Sequence, residues 1–178
     1  TRAGASGAGK AKGAETGPIG SDTSHDPLVG KTIGGCKILA PLGKGAMGTV
    51  YKAEQVSLGR PVALKTIRED FCGDEGFLKR FLFEAQTVGR FKTPHVVQIH
   101  EVGCDRGVHF ITMELVSNGN LLTYLKRRES QRLDHTEALK FIRQAAEGLL
   151  EAERLKVVHR DIKPENLLLD HNYHVKIA

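Results

Sequence analysis

The chain contains 178 residues, 40% of them hydrophobic, which suffices for the core of one domain, and no apolar run approaches the ~20 residues that a membrane-spanning helix needs. Its net charge of +5 comes without a basic stripe interleaved with aromatic residues, so nucleic-acid binding is not expected. Cys36, Cys72 and Cys104 lie far apart and form no C-x-x-C pair, which argues against a zinc site or a disulfide framework and indicates a reducing, cytoplasmic compartment.

The first segment, residues 1–30, is rich in Gly, Ala and Ser and holds almost no large apolar side chain. We therefore expect it to be disordered, with the folded part over residues 31–178. Gly4–Ala11 nearly matches the Walker A phosphate loop, but Ala11 stands where Ser or Thr must bind magnesium, and no strand precedes it. We interpret this match as a coincidence.

The glycine loop, residues 43–50, reads Gly-Lys-Gly-Ala-Met-Gly-Thr-Val. Glycines let a backbone approach phosphates closely, because no Cβ intervenes and positive φ is allowed. The spacing also fits the dinucleotide-binding fingerprint, with the acids Glu69 and Asp70 about 20 residues further on. That fold needs a helix after the third glycine, whereas Thr49–Tyr51 is β-branched and aromatic and predicts a strand.

The run Val62–Ile67 predicts a short strand with Ala63 and Lys65 on one face and the apolar Val62 and Leu64 on the other. Burying a lysine without a partner is costly. Lys65 therefore either lies on an edge strand in contact with solvent or has a partner of opposite charge.

Helical spacing of apolar residues predicts a helix within residues 75–91; these residues are Phe77, Phe81, Ala85 and Val88. Glu84 borders that apolar face. From Leu121 onward helices dominate, with a short one to Arg128 and a longer one that Asp134 or Thr136 can cap. The apolar face of the longer helix is predicted to hold Ala138, Phe141, Ile142, Ala145, Leu149 and Ala152.

The catalytic loop, as we name residues 159–166, reads His-Arg-Asp-Ile-Lys-Pro-Glu-Asn and sets a carboxylate, an ammonium and an amide at short spacing. It resembles the catalytic loop of the eukaryotic-type protein kinases. The upstream segments stand in the order that this family requires. Lys163, two residues after Asp161, is the serine/threonine form of the loop, and the chain most resembles the bacterial representatives.

The resemblance implies an α+β, protein-kinase-like two-lobed fold, with a complete small β-rich lobe over residues 31–115 and the first part of the helical lobe over residues 116–178. In the family, a strand like residues 174–178 leads directly into Asp-Phe-Gly, whose Asp is a main magnesium ligand. We expect the full-length gene to continue with that motif. We expect this chain alone to be inactive and poorly stable, because its large-lobe helices lack the elements that cover their apolar faces.

The resemblance also implies the catalytic roles. Asp161 would position the acceptor hydroxyl and accept its proton, and Lys163 would neutralise charge on the transferring phosphoryl group. Asn166 would hold Mg²⁺. Lys65, paired with Glu84, would orient the α- and β-phosphates of ATP. A glutamate on a helix is usually solvated, so the assignment of Glu84 depends mostly on the resemblance.

The nucleotide site is implied in the same way. The Glu114 carbonyl and the Val116 amide of the hinge, residues 114–116, would hydrogen-bond adenine, while Met113 would guard the pocket behind it and Leu168 would form its floor. Asn120 falls where a ribose contact is often found. Plain core packing is the alternative for Met113, and both can hold at once. The ATP-site residues expected in full are Leu42, Gly43, Gly45, Gly48, Val50, Ala63, Lys65, Met113, Glu114, Val116, Asn120 and Leu168.

The function implied is ATP- and Mg²⁺-dependent phosphorylation of Ser/Thr hydroxyls on protein substrates, with no nucleic-acid partner and no membrane contact within this chain. The alternative is a pseudokinase or nucleotide-binding signalling scaffold, against which the intact catalytic residues argue. A small-molecule phosphotransferase of similar fold is disfavoured by the context Ile162–Glu165.

Overall fold

The structure is a computed structural model that describes residues 26–73 and 75–178, except for the side chains of Glu69, Cys72, Glu75 and Glu84. The expected disorder of residues 1–25, and with it the match at Gly4–Ala11, lies outside the described residues. The described part begins with a β-rich lobe and continues with a helical one, in the order that the sequence predicts.

One antiparallel sheet forms the β-rich lobe. Its strands are β1 (Thr32–Ile33), β2 (Cys36–Lys44), β3 (Gly48–Gln55), β4 (Arg60–Ile67), β5 (Ile99–Asp105) and β6 (Val108–Glu114), in the spatial order β1-β2-β3-β4-β6-β5. Two helices, α1 (Glu69–Cys72) and α2 (Glu75–Val88), connect β4 to β5. Strand β4 therefore has a neighbour on each side, and the edge-strand alternative for Lys65 is excluded.

The core of this lobe lies on one face of the sheet. Val62 and Leu64, which the alternation in β4 predicts to share a face, are both fully buried there. The ring of Phe110 fills the same cluster between two glycines. A Cβ at Gly34 would lie 2.0 Å from that ring and one at Gly103 would lie 2.8 Å from it, so both positions exclude a side chain.

Residues 26–31 form an N-terminal latch on the sheet. The Tyr51 hydroxyl donates to the Asp26 carboxylate at 3.0 Å, and the Gly30 amide donates to the Ile38 carbonyl at 2.9 Å. Leu28 packs against the core of the lobe. The predicted disorder of residues 1–30 thus differs from the structure at residues 26–30, because one apolar side chain and one carboxylate are enough to hold a short segment on an existing sheet.

The helical lobe contains α3 (Leu121–Lys126), α4 (His135–Arg154), a single 3-10 turn (Pro164–Asn166) and an antiparallel pair of short strands, β7 (Leu167–Leu169) and β8 (Val175–Ile177). Helix α2 ends at Val88, three residues before the predicted limit. Phe91 beyond it is buried against Val96 and the helical-lobe residues Ala152 and Ile177. The two lobes therefore share an apolar contact behind α2.

Of the two predicted caps of α4, Asp134 is the one that the helix uses, because its carboxylate accepts from the Glu137 amide at 2.8 Å. Phe141, Ala145 and Ala152 of the predicted apolar face are buried. The prediction for Ile142 was wrong, since its side chain is 65% exposed. It lies one residue, about 100° around the helix, from Phe141, and so falls outside the buried stripe.

Two α4 residues that the apolar pattern missed attach the helix to its neighbours. Gln144 is buried, and its Oε1 accepts from the Val175 amide at 2.9 Å, which satisfies a polar group in the core. A Cβ at Gly148 would lie 2.7 Å from the His95 carbonyl oxygen. Glycine therefore allows α4 to touch the segment that leads into β5.

In the part of the chain that the structure describes, no helix combines the length and the apolar character that crossing a membrane would require. Cys36 and Cys104 are both free thiols, and burial raises the pKa of the Cys36 thiol above its ordinary value.

Candidate active site

The catalytic loop brings the predicted carboxylate, ammonium and amide together. Asp161 Oδ2 lies 2.9 Å from Lys163 Nζ and accepts from Asn166 Nδ2 at 3.0 Å. Asn166 Nδ2 also donates to the Asp161 backbone carbonyl at 2.8 Å. All three functional groups thus converge on one exposed spot at the surface of the helical lobe.

Backbone contacts brace this loop against the end of β8. The Ala178 amide donates to the Asn166 carbonyl at 2.9 Å, and the Asn166 amide donates to the Lys163 carbonyl at 2.9 Å. His159 accepts from the Asp161 amide through Nδ1, so its Nε2 carries the proton and donates to the Ala178 carbonyl at 3.0 Å. The position of Asp161 is therefore fixed by its own loop and by the strand beside it.

The electrostatics of the loop keep Asp161 ionised. The hydrogen bond from Lys163, followed by that from Asn166, holds the pKa of the Asp161 carboxyl below its ordinary value. In return, the hydrogen bond to Asp161 raises the pKa of Lys163. An ionised carboxylate that already faces donors can accept a proton from a hydroxyl placed beside it.

Lys65 projects from β4, in register with Val50 of β3 and Ile111 of β6. Its ammonium lies 5.8 Å from the centre of the Phe81 ring on α2. Burial lowers the pKa of Lys65, because removing water disfavours the charged form. The side chain of Glu84 lies outside the described residues, so the Lys65–Glu84 pair stays a prediction.

The glycine loop is the hairpin between β2 and β3, closed by a hydrogen bond from the Gly45 amide to the Gly48 carbonyl at 2.8 Å. The strand predicted directly after the third glycine is confirmed, and the dinucleotide-binding alternative is thereby excluded. None of Gly43, Gly45 and Gly48 adopts the positive φ that glycine allows. Gly48 is required for another reason, since a Cβ there would lie 1.8 Å from the Thr66 carbonyl oxygen.

We predict that Gly48→Ala lowers the free energy of unfolding by about 1–3 kcal/mol, the usual cost of forcing extra atoms into a packed site. The added methyl would separate β3 from β4 at the mouth of the glycine loop. Gly43→Ala is the matched control, because a Cβ there meets no atom within 4 Å. Urea unfolding followed by circular dichroism measures both; equal stability of the two variants would contradict this account of Gly48.

The expected adenine pocket lies on the sheet face opposite the core. Ala63 and Met113 are direct partners across β4 and β6, and Ala63 lies between Val62 and Leu64, which point into the core. Leu42, at the entrance beside the glycine loop, is 49% exposed, whereas Val50 and Val116 are half-buried. Partly exposed apolar side chains of this kind suit contact with an apolar ligand surface such as a flat heteroaromatic ring.

Asn120 and Leu168, two further residues expected at the ATP site, are joined by an isolated β-bridge. The Asn120 carboxamide oxygen accepts from the Thr123 amide at 2.8 Å and caps α3. Asparagine before an apolar helix is a strong cap signal that the sequence interpretation overlooked. The ribose contact of Asn120 and the role of Leu168 as the adenine floor stay predictions.

One further pair near the hinge has no counterpart in the sequence prediction. Glu114 Oε1 lies 2.8 Å from Lys176 Nζ and also accepts from the Gln98 amide at 2.8 Å. Glu114 and Lys176 stand 62 positions apart. Only the folded chain shows that they touch.

The catalytic loop offers one oxygen atom that could serve as a ligand of a magnesium ion. Asn166 directs its side-chain NH₂ group at Asp161, so its side-chain carboxamide oxygen faces away from Asp161. That oxygen can serve as a hard ligand of a metal ion. Within residues 26–73 and 75–178 no cluster of three or more His, Cys, Asp or Glu side chains could hold a metal. Mg²⁺ usually combines one or two protein oxygens with substrate phosphates and water, and Asn166 fits that pattern.

Comparison with known proteins gives consistent matches. The family described as protein kinase domain matches residues 36–178. Serine/threonine-protein kinase PrkC of Bacillus subtilis is 37% identical over 152 residues, covering 85% of this chain and 23% of that protein. Human NUAK family SNF1-like kinase 2 is 41% identical over 142 residues, covering 80% of this chain and 22% of that protein. The chain thus spans about a quarter of the length of these curated relatives.

Among solved structures, the crystal structure of the Mycobacterium tuberculosis PknI kinase domain aligns with a TM-score of 0.73 and 28% identity. The alignment covers 84% of this chain and 59% of that one. It confirms the predicted α+β architecture of a small β-rich lobe followed by the start of a helical lobe.

Proposed function

Because the chain belongs to the protein kinase family, we propose that the full-length protein transfers the γ-phosphoryl group of ATP to Ser or Thr hydroxyls of protein substrates, with Mg²⁺ as cofactor. The observation that carries this proposal is the convergence of Lys163 and Asn166 on the Asp161 carboxylate, which lies 2.9 Å from Lys163 Nζ and 3.0 Å from Asn166 Nδ2. The names of PrkC and NUAK family SNF1-like kinase 2 add support. The free thiols of Cys36 and Cys104 suit a cytoplasmic kinase domain.

The catalytic loop would act on the acceptor hydroxyl. Asp161 accepts its proton as the oxygen attacks, since the carboxylate is ionised and exposed. Lys163 has three donor hydrogens, so it can keep its contact with Asp161 while another hydrogen faces the transferred phosphoryl group. Positioning and charge stabilisation then account for the reaction, and no covalent intermediate on the protein is needed.

The β-rich lobe would hold the nucleotide. The open positions at Gly43 and Gly45, where a Cβ would find no close neighbour, leave space for phosphates against the backbone. A phosphate near Lys65 would supply the opposite charge that favours the ammonium form. Mg²⁺, which Asn166 would hold, neutralises the charge of the phosphates when it is bound.

The proposal predicts phosphate transfer from radiolabelled ATP to a generic basic protein by the full-length protein, with loss of transfer when magnesium is chelated. Mass spectrometry of the product should place the phosphate on Ser and Thr. If the protein binds ATP but transfers no phosphate, the nucleotide-binding scaffold is the correct function instead. Phosphate found only on tyrosine would contradict the proposed substrate class.

A further inference from the structure

The ion pair between Lys176 and Glu114 joins the hinge to β8. Its two side chains are 15% and 26% exposed, respectively, so both charges are largely withdrawn from water. Val175 and Ile177 on either side of Lys176 are buried in the helical lobe. By the alternation of a strand, Lys176 therefore leaves the opposite face of β8, towards Glu114.

A third segment meets this pair. The Gln98 backbone amide donates to the same Glu114 carboxylate oxygen. In the other direction, the Glu114 backbone amide donates to the Gln98 backbone carbonyl at 2.9 Å. One residue earlier, the Val97 amide donates to the Ile177 carbonyl at 2.8 Å. The segment that follows α2 is thus held between the hinge and β8, and the Lys176 side chain spans it.

Stability alone is a poor explanation for this arrangement. Withdrawing two charges from water costs about as much as their attraction returns, and apolar replacements are often as stable. Backbone hydrogen bonds already hold β8, from the Ile177 amide to the His95 carbonyl at 2.9 Å and from the Val97 amide to the Ile177 carbonyl. What the ion pair adds is a fixed position for the Glu114 side chain, and with it for the hinge backbone.

We propose that Lys176 is a positioning residue for the nucleotide, acting through the Glu114 carboxylate on the hinge backbone that bears the expected adenine contacts at residues 114 and 116. This inference rests on the proposed function, because it assigns a role at the same ATP site. Lys176 is assigned no contact of its own with adenine or with the reacting phosphate. Its contribution therefore belongs to ATP binding, while the catalytic loop keeps its own contacts.

The test compares Lys176→Met with Lys176→Arg in the full-length protein. We expect Lys176→Met to raise both the KM and the directly measured Kd for ATP by about 5-fold or more, the lower end of typical couplings between linked sites. We expect the kcat of Lys176→Met to stay within about twofold of the wild-type kcat, a change smaller than typical couplings between linked sites. Lys176→Arg should restore ATP binding, since it keeps a cation near Glu114. Lys140→Met is the control, because Lys140 is exposed on α4.

Glu114→Gln completes a double-mutant cycle and should weaken ATP binding without adding to the effect of Lys176→Met. Additive effects, or a folded Lys176→Met or Glu114→Gln protein with wild-type Kd for ATP, would overturn the inference. If circular dichroism shows that Lys176→Met is unfolded, the Kd for ATP of Glu114→Gln and of Lys176→Arg tests the inference instead. Calorimetric titration with a non-hydrolysable ATP analogue gives that Kd even if the wild type transfers no phosphate. Absence of phosphate transfer would count against the proposed function but not against the role of Lys176 in ATP binding.

Discussion

Asp161→Asn in the full-length protein is expected to lower kcat by about 10²–10⁴-fold, the usual contribution of a general base. The substitution keeps the size and shape of the side chain. Its amide oxygen can still accept from Lys163 and Asn166, which donate to the carboxylate in the native loop. The fold should survive, and only the capacity to accept a proton is lost.

Asp134→Asn is the matched control for this measurement. Asp134 caps α4 through its carboxylate, and asparagine caps a helix equally well. Steady-state assays with far-UV circular dichroism on both variants separate lost chemistry from lost structure. A folded Asp161→Asn enzyme within about threefold of the wild type, well below the general-base range, would mean that the catalytic loop has been assigned the wrong chemistry.

Lys65→Met is expected to lower kcat by about 10²–10³-fold, the size of the loss when one preorganised charge-stabilising group is removed. Methionine keeps an apolar stem of similar length beside the Phe81 ring, with which its sulfur can make a favourable contact. ATP binding should largely remain, because the adenine is expected to be held at the hinge. The loss therefore falls on the chemical step.

Lys52→Met is the control for Lys65→Met, because Lys52 is an exposed lysine on the neighbouring strand β3, directly opposite Ala63. Kinetics, nucleotide titration and circular dichroism on both proteins decide the result. A large rise in the Kd for ATP with kcat unchanged would show that Lys65 binds the nucleotide and does not promote the transfer. An effect of similar size in Lys52→Met would point to general damage of the sheet.

Local patterns predicted much of the fold and of the site. Strand alternation placed Val62 and Leu64 in the core and Lys65 on the other face, because the period of two is a property of the backbone itself. The approach of Asp161, Lys163 and Asn166 could be predicted, since they lie within six residues in one loop. In both cases the residues that determine the arrangement are close to one another in the sequence.

The features that the sequence did not predict depend on residues far apart in the chain. The sequence placed Lys176 in a short strand but did not predict its partner. Lys176 meets Glu114, 62 positions away, only because the folded chain brings β8 against the hinge. The need for glycine at position 48 comes from the Thr66 carbonyl on the next strand. Ile142 looked buried because a helical pattern gives an apolar stripe but not its width.

The N-terminal latch lies before the stretch that is similar to the protein kinase family pattern. That similarity starts at residue 36, whereas the Tyr51 hydroxyl finds its carboxylate partner at Asp26 and the core finds a covering side chain at Leu28. Trimming the protein to residue 36 would remove the partner of the buried Tyr51 hydroxyl and expose apolar surface that Leu28 covers. The packed part of the domain therefore reaches back at least to Asp26.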